Sequence, residues 1–486
     1  MLSLPCGEAE GSIFMASLKS LVKDTAIYGL SSIVGRFLNY LLVIVHTDAM
    51  PRSSGEYGIM TNIYSYVALL FVILTYGMET TFFRFINKEG QNPQNVYRTV
   101  LTMVGTTSTL FVLFIFLFLN PISTWMGYAD RPMYVGVMAI VIALDAFQAI
   151  LFAYLRYQKK AIKFASLKLL FIGFSIALNL LFYLVMQKTT AGYAFYANII
   201  CTSAITFFMW KELRDGFKGK FDKSMVKSML SYAWPILVLG VAGILNQAAD
   251  KMFFLKIYPG SDAKVQLGIY GACVKIAMIM AMITQAFRYA YEPFVFAGSK
   301  DKDQKVMYSE AMKYFILFTL LAFLMVMGYM DLLKEFLIKD EGYWEGLKVV
   351  PIVMIAEIMM GISFNLSIWY KLTDKTIWGA IISIVGCVVL LAVNILFVPQ
   401  YSYMACAWGA VAGYGICMVM SYFLGQKYFP INYQLKTVFL YVMLTVAGYY
   451  AIEFINDNFT LLPKLALNTV VIGIFAGACV LQLKRK

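Results

Sequence analysis

Apolar runs of about 20 residues, separated by short polar turns, occupy most of the chain. A transmembrane helix needs about 20 consecutive, mainly apolar residues, so each run predicts one span. The runs predict an all-α, polytopic membrane protein with about fourteen transmembrane helices. The predicted spans are 25–47, 57–83, 98–119, 133–155, 164–186, 191–210, 229–255, 266–290, 314–330, 349–370, 376–397, 403–424, 436–454 and 464–482.

Basic residues concentrate in alternate loops, and this bias predicts the orientation of the chain. Cytoplasmic loops carry an excess of Lys and Arg, so the basic loops after spans four, six and eight, together with the basic tail, place both termini in the cytoplasm. These cations are Arg156, Lys159, Lys160 and Lys163, then Lys211, Arg214, Lys218, Lys220, Lys223 and Lys227, then Lys300, Lys302 and Lys305, and finally Lys484, Arg485 and Lys486.

The composition gives no indication of nucleic-acid binding, of disulfide bonds or of a metal site. The chain is 61% hydrophobic and only 14% charged, and its net charge of +13 follows the loop bias, so we expect no nucleic-acid partner. The seven cysteines show no Cys-x-x-Cys spacing, and there is one histidine. We therefore expect no disulfide framework, no metal site and no cofactor.

The chain also predicts two lobes. Tyr57-Gly58-Ile59 in span two is echoed by Leu267-Gly268-Ile269 in span eight, and six spans followed by six in the same orientation indicate parallel repeats with a cleft between them. The predicted organisation is a cytoplasmic leader at 1–20, with Met15 as an alternative start, an N-lobe at 21–212, a basic cytoplasmic linker at 213–228, a C-lobe at 229–426, and two additional spans with the tail at 427–486.

Several motifs resemble those of one known family in order and spacing. They are Tyr28-Gly29-Leu30, Gly55-Glu56-Tyr57-Gly58-Ile59, Tyr76-Gly77-Met78-Glu79, Ser231-Tyr232-Ala233-Trp234-Pro235, Asn246-Gln247-Ala248-Ala249-Asp250-Lys251, Glu292-Pro293-Phe294 and Ala407-Trp408-Gly409-Ala410. Over roughly Leu21 to Pro430 the chain resembles the polysaccharide-transporter, or O-antigen-type flippase, branch of the multidrug/oligosaccharidyl-lipid/polysaccharide (MOP) exporter superfamily.

This resemblance implies a flippase of the bacterial cytoplasmic (inner) membrane. Its substrate would be a polyprenyl-pyrophosphate-linked oligosaccharide, a precursor of O-antigen or of capsule or exopolysaccharide, moved from the inner to the outer leaflet by alternating access. The expected partners are this glycolipid, membrane lipids and other membrane proteins of polysaccharide assembly. Na⁺ or H⁺ is a candidate coupling ion.

Six charged residues lie well inside predicted spans: Arg36, Asp145, Asp250, Lys251, Lys275 and Glu357. Charges at this depth are rare and either pair between helices or mark a substrate or ion pathway. We take Arg36, Lys275 and Lys251 as candidate pyrophosphate-binding residues, and Asp145, Asp250 and Glu357 as candidates for cation coupling or charge balance. Because neighbouring residues point about 100° apart on a helix, we expect Asp250 and Lys251 to need separate partners.

A second group of charges lies near the cytoplasmic ends of spans two and eight: Glu79, Arg84, Arg288 and Glu292. They are candidates for a cytoplasmic gate, and the alternative is an interfacial anchor.

Two other functions remain open on the sequence. A drug–cation antiporter of the same superfamily would favour a net acidic cavity, whereas the intramembrane charges are balanced. A membrane glycan polymerase or ligase would ordinarily carry catalytic groups on a large outer loop, and the longest outer loop here has only about 20 residues. We therefore expect a transporter rather than an enzyme.

Overall fold

The computed structural model describes residues 35, 37–297, 303–373 and 375–484. These residues form helices and short turns, and no strand occurs among them. The α-helices are α1 (Leu42–Ala49), α2 (Glu56–Thr75), α3 (Met78–Ile86), α4 (Pro93–Leu117), α5 (Leu119–Met126), α6 (Pro132–Tyr157), α7 (Ala161–Leu180), α8 (Gly192–Phe208), α9 (Trp210–Gly216), α10 (Lys223–Ile257), α11 (Ala263–Ala297), α12 (Asp303–Gly328), α13 (Met330–Leu337), α14 (Val350–Leu366), α15 (Ile368–Leu372), α16 (Ile377–Tyr401), α17 (Tyr403–Tyr428), α18 (Leu435–Asn458) and α19 (Leu461–Lys484).

Within the described residues, twelve helices are long and apolar enough to cross a membrane. A thirteenth span results if α8 and α9, which are bent by 60° relative to each other, count as one. Predicted span one falls partly outside the described residues, and its described part is the short apolar helix Phe37–Ala49. The prediction of an all-α, polytopic membrane protein is confirmed.

The second predicted span is broken near its end. Tyr76 and Gly77 both have positive φ, 31° and 70°, and they separate α2 from α3. The left-handed region suits glycine because it has no Cβ, whereas a tyrosine there is uncommon. The two helices still form one span, Glu56–Ile86, and the break makes Glu79 part of the first turn of α3.

The chain forms two compact units. Unit 1 comprises Met1–Leu42, Leu70–Lys188 and Gly192–Leu237, and unit 2 comprises Val43–Leu69, Thr189–Ala191 and Val238–Lys486. The division at Leu237 lies inside α10, C-terminal to the predicted linker at 213–228. The lobe boundaries inferred from the sequence stay a prediction.

Aromatic side chains join the helices of unit 1. Tyr97 of α4 and Tyr154 of α6 stack with ring centroids 3.8 Å apart, and Phe82 of α3 packs edge-on against Tyr97. The Tyr97 hydroxyl also donates a hydrogen bond to the carbonyl of Glu212 on α9. Because stacked and edge-on ring pairs stabilise beyond simple burial, these contacts fix α3, α4, α6 and α9 around one core.

Glycines allow the closest helix contacts in unit 2. A Cβ on Gly58 of α2 would lie 1.8 Å from the carbonyl oxygen of Lys264 and 2.9 Å from the nitrogen of Gly268 on α11. The two glycines of the motif repeated in the sequence therefore pack against each other. Gly413 of α17 makes a similar approach, since its Cβ would lie 2.9 Å from the carbonyl oxygen of Gly386 on α16. Small residues at such crossings are typical of membrane helix pairs.

Candidate functional site

Unit 1 contains a polar cavity of about 450 Å³ among five of its helices. We call it the unit 1 cavity. It is lined by Glu79 of α3, by Asp145, Gln148, Ala149, Phe152 and Arg156 of α6, by Phe164, Lys168 and Phe171 of α7, by Phe71 of α2 and by Ile205 of α8. Two acidic and two basic side chains thus share one cavity in a unit whose helices are otherwise mainly apolar.

Helix α6 supplies most of the polar wall of this cavity. Asp145, Gln148, Phe152 and Arg156 are spaced at i, i+3, i+7 and i+11, which places them along one face of a helix. The sequence pattern identifies Asp145 alone on this helix as a candidate and places Arg156 in a basic loop. The helical spacing was the signal that could have grouped these residues.

Glu79 forms an ion pair with Arg156 in this cavity. The break at Tyr76 and Gly77 places Glu79 in the first turn of α3, where it faces α6. Arg84, the other charged residue of α3 considered as a gate candidate, instead lies over the ring of Tyr232, 4.0 Å from its centroid.

Asp145 belongs to a hydrogen-bonded group at the other end of the same helical face. Its Oδ1 accepts a hydrogen bond of 3.1 Å from the Thr202 hydroxyl on α8. Gln148 Nε2 donates to the Thr202 carbonyl and to the Thr206 hydroxyl, both at 2.7 Å. The two bonds from Gln148 use both hydrogens of its amide and fix its orientation. The bond from Thr202 holds the Asp145 carboxylate beside it.

Lys168 is a cation that the sequence reasoning missed. It lies on α7 with its nitrogen 4.1 Å from the centroid of the Phe152 ring, and it interacts electrostatically with Asp145. Within the part of the chain that the structure describes, it has no hydrogen bond or ion pair. Its place inside the predicted span 164–186 could have identified it, since lysine within an apolar span is unusual.

Unit 2 contains a second balanced group of charges, which we call the unit 2 charge cluster: Asp250 and Lys251 of α10, Lys275 of α11 and Glu357 of α14. The Lys251 nitrogen lies 2.8 Å from Asp250 Oδ2, and the same oxygen accepts a hydrogen bond of 2.7 Å from the Tyr270 hydroxyl. The expectation that Asp250 and Lys251 need separate partners is therefore wrong. The long lysine side chain bends back along the helix and spans the angle between the two positions.

The other two members of the unit 2 charge cluster differ in their environment. Glu357 interacts electrostatically with both Lys251 and Asp250. Lys275 is repelled by Lys251, and among the described residues it has no hydrogen bond or ion pair. The structure thus brings together four of the six intramembrane charges named from the sequence, and the residues it describes include no partner anion for Lys275.

The remaining candidate residues are placed as follows. Arg288 of α11 lies over the ring of Phe364, 5.1 Å from its centroid. Glu292 belongs to α11, but its side chain lies outside the described part of the structure, as does the whole of Arg36. The roles proposed for the gate and pyrophosphate candidates stay predictions.

Comparison with solved structures identifies the fold. The lipid II flippase MurJ in an inward closed conformation matches with a TM-score of 0.70 at 13% identity, covering 94% of this chain and 99% of that chain. An inward-facing multidrug transporter of the MATE family of the MOP superfamily matches with a TM-score of 0.63 at 16% identity, covering 81% and 94% of the two chains. A MOP superfamily transporter from Pyrococcus furiosus, described as having a binding pocket of reverse polarity, matches with a TM-score of 0.57 at 14% identity, covering 83% and 95%.

Sequence comparison gives a narrower assignment. The comparison with curated proteins finds no match. The profile of one family, described as polysaccharide biosynthesis protein, matches residues 21–291, which is more than half of the chain. This match and the shared fold confirm the resemblance inferred from the sequence motifs: the chain is a multi-pass membrane protein of the polysaccharide biosynthesis protein family, with the fold of the MOP transporters.

Proposed function

We propose that this protein is a flippase that moves a polyprenyl-pyrophosphate-linked oligosaccharide from the inner to the outer leaflet of a bacterial cytoplasmic membrane by alternating access. The family match supports a role in polysaccharide assembly, and the fold is shared with a structure described as a lipid II flippase. The glycan is a precursor of O-antigen, capsule or exopolysaccharide.

The observation that best supports a pyrophosphate-linked substrate is the environment of Lys275. A lysine inside a spanning helix, without a partner anion among the described residues, needs a reason to remain charged there. A pyrophosphate supplies one, because charge-assisted hydrogen bonds to phosphate oxygens are roughly twice as strong as neutral ones. Arg36, near mid-depth in predicted span one, is the second proposed ligand, since a guanidinium binds two phosphate oxygens at once.

Energetics are compatible with transport without a coupling ion. An inside-negative potential favours outward movement of a headgroup with about two negative charges, by about 2.3 kcal/mol per charge per 100 mV. Coupling to Na⁺ or H⁺ through Asp145, Asp250 or Glu357 would add to the driving force of the membrane potential, but transport does not require it.

A drug–cation antiporter is the second candidate function. It is favoured by the shared fold with multidrug transporters and by the acidic residues Asp250 and Glu357 in the unit 2 charge cluster. The two functions differ in the sign of the group that must be bound. A cationic drug needs the carboxylates free, whereas the pyrophosphate needs the cations free, and the Lys251 ammonium already neutralises Asp250.

The test is to deplete the protein in its host and measure lipid-linked glycan on each leaflet. We expect the glycolipid to accumulate on the inner leaflet and to decrease on the outer one. Complementation with Arg36→Ala or Lys275→Ala should fail although the protein inserts normally. Arg36→Lys should restore part of the activity, because lysine keeps the positive charge but cannot bind two phosphate oxygens as a guanidinium does. Full export by Arg36→Ala and Lys275→Ala at normal protein levels would show that neither residue holds the pyrophosphate.

The proposed orientation has both termini in the cytoplasm. Single cysteines at Lys220, in the predicted basic linker, and at Asp130, in the turn before α6, should react with a membrane-impermeant reagent from opposite sides. Only Asp130→Cys should be labelled in intact cells. Labelling of Lys220→Cys from outside would reverse the orientation.

A further inference from the structure

The unit 1 cavity offers both unused donors and unused acceptors. Arg156 Nε is buried without a hydrogen-bond partner, and Lys168 makes no hydrogen bond or close ion pair among the described residues. On the acceptor side, Asp145 receives one hydrogen bond, from Thr202, and Gln148 uses only its Nε2 group within the described structure. A buried donor or acceptor without a partner is unfavourable, so a polar ligand that satisfies these groups would be stabilised in the cavity.

The charges in the cavity restrict what that ligand can be. Glu79 and Arg156 neutralise each other, and Asp145 and Lys168 interact electrostatically. A simple anion would satisfy the basic groups and repel the carboxylates, and a simple cation would do the reverse. A ligand whose groups both donate and accept hydrogen bonds can pair with the basic side chains and with the carboxylates. Hydroxyl groups have this property.

Phenylalanine rings form the rest of the wall. Phe71, Phe164 and Phe171 line the cavity, and Phe152 and Phe164 pack edge-on with centroids 5.3 Å apart. A pyranose ring combines apolar C–H faces with a rim of hydroxyl groups, so it can pack against phenyl rings while its hydroxyls reach the polar side chains. The cavity volume of about 450 Å³ lies within the usual range for small-molecule sites, about 300–1,000 Å³, and can accommodate a sugar ring with bound water.

We propose that the unit 1 cavity is a sugar-binding subsite for the glycan part of the lipid-linked substrate, with Asp145, Gln148, Arg156 and Lys168 as hydrogen-bonding groups. This inference rests on the proposed function. It adds that recognition of the substrate includes the sugar as well as the pyrophosphate and the lipid.

The test compares two ligands on the full-length protein in lipid nanodiscs. One is undecaprenyl pyrophosphate, and the other is the lipid-linked glycan extracted from cells depleted of the protein. We expect the wild-type protein to bind the glycolipid at least about tenfold more tightly than the bare lipid, as one or two additional hydrogen bonds imply. Lys168→Met and Asp145→Asn should reduce this ratio toward one without changing the affinity for undecaprenyl pyrophosphate.

Lys188→Met is the matched control, because Lys188 belongs to the same unit but lies over Tyr193, outside the cavity. It should leave the ratio unchanged. Asp145→Asn nearly preserves side-chain shape, so it serves as the second variant if Lys168→Met does not fold. A preference for the glycolipid that survives in a folded cavity variant, or that is absent in the wild type, would overturn the sugar subsite alone. Failure of the wild type to bind either lipid would overturn the proposed function together with the subsite.

Discussion

The ammonium group of Lys251 lies 2.8 Å from the carboxylate of Asp250, the residue immediately before it on α10. Asp250 is buried, with 6% of its side chain exposed, and it also accepts the Tyr270 hydroxyl. The carboxylate is therefore satisfied within its own helix and the adjacent one. This pairing distinguishes the two lysines of the unit 2 charge cluster: Lys251 has a partner, whereas the described structure gives none to Lys275.

The first prediction separates these lysines by their effects on stability and on transport. Lys251→Ala leaves a buried carboxylate without its cation, which typically costs about 3–5 kcal/mol, so we expect a marked decrease in the melting temperature. Lys275→Ala removes a buried cation for which the described part of the chain provides no partner anion, so the protein should melt at or above the wild-type temperature and lose glycolipid transport. Melting in detergent and glycan export in cells are the two measurements.

Lys256→Ala is a control on the same helix as Lys251, near the end of α10. It should leave export unchanged. If Lys275→Ala instead destabilises the protein as much as Lys251→Ala does, Lys275 is part of a structural ion-pair network and its assignment to the pyrophosphate is wrong.

A second prediction concerns the ion pair between Glu79 and Arg156. Glu79→Gln and Arg156→Gln should each reduce transport several-fold. The double variant should be no worse than Arg156→Gln alone, because that change already breaks the ion pair and also removes the guanidinium from the cavity. Both side chains are partly exposed, so the effect on stability should be small, about 0.2–1 kcal/mol. Arg98→Gln is the matched control, since Arg98 lies over the ring of Phe217 and does not line the unit 1 cavity.

Cysteine accessibility tests the gate role of the same pair. Opening of a gate should increase labelling of a cysteine placed at Ala149, which lines the unit 1 cavity. Additive transport defects in the double variant would show that the two residues act independently. Unchanged labelling at position 149 in Glu79→Gln would favour the interfacial-anchor role.

Close packing of α16 and α17 gives a third prediction. A Cβ at Gly413 would lie 2.9 Å from a backbone oxygen of Gly386, so Gly413→Ala must separate the two helices. Overpacking of this kind costs about 1–3 kcal/mol and should lower the melting temperature. Gly415→Ala is the control because its nearest contact would be the Met359 sulfur at 3.6 Å. Equal stability of the two variants would contradict the packing described for these helices.

The fourth prediction is a pH dependence at Asp331, in the short helix α13 outside the spans. Partial burial alone would raise the pKa of this carboxyl, but hydrogen bonds from Lys334 and Lys464 outweigh burial and hold the pKa below its ordinary value of 3.8. A carboxyl with a lowered pKa contributes stability that is present above the ordinary pKa and is lost as the pH falls through the folded-state pKa. The contacts are short, 2.6 Å to Lys334 and 2.7 Å to Lys464.

Asp331→Asn should therefore lower the melting temperature at pH 7 by about 2 °C, and the difference from wild type should shrink as the pH falls below 3.8. Glu335→Gln, an exposed change on the same helix, is expected to have no such pH-dependent effect. A difference between Asp331→Asn and wild type that persists unchanged into acid would exclude the ion pairs as its cause.

The spans were predictable because the bilayer imposes one length on every membrane helix. Each predicted span from 57–83 onward coincides with an observed helix or bent pair to within about ten residues at either end. The break at Tyr76 and Gly77 was not predicted, because it depends on a tyrosine with positive φ, which sequence propensity does not indicate.

The candidate site was predictable only in part. Asp145, Asp250, Lys275 and Glu357 were recognised because a charge within an apolar run is conspicuous. Arg156 was not, since it follows an apolar run and resembles a loop cation. Which charges pair is decided by helix packing and by the reach of flexible side chains, and neither is encoded in the local pattern.

The most direct test of the central claim uses the purified protein in liposomes. Fluorescent polyprenyl-pyrophosphate-linked oligosaccharide is placed in both leaflets, and the fraction accessible to an external, membrane-impermeant quencher or glycosidase is followed over time, with a cationic drug tested in parallel. We predict protein-dependent translocation of the glycolipid, loss of that activity in Lys275→Ala, and no transport of the drug. Drug transport without glycolipid translocation would contradict the flippase assignment and support the antiporter.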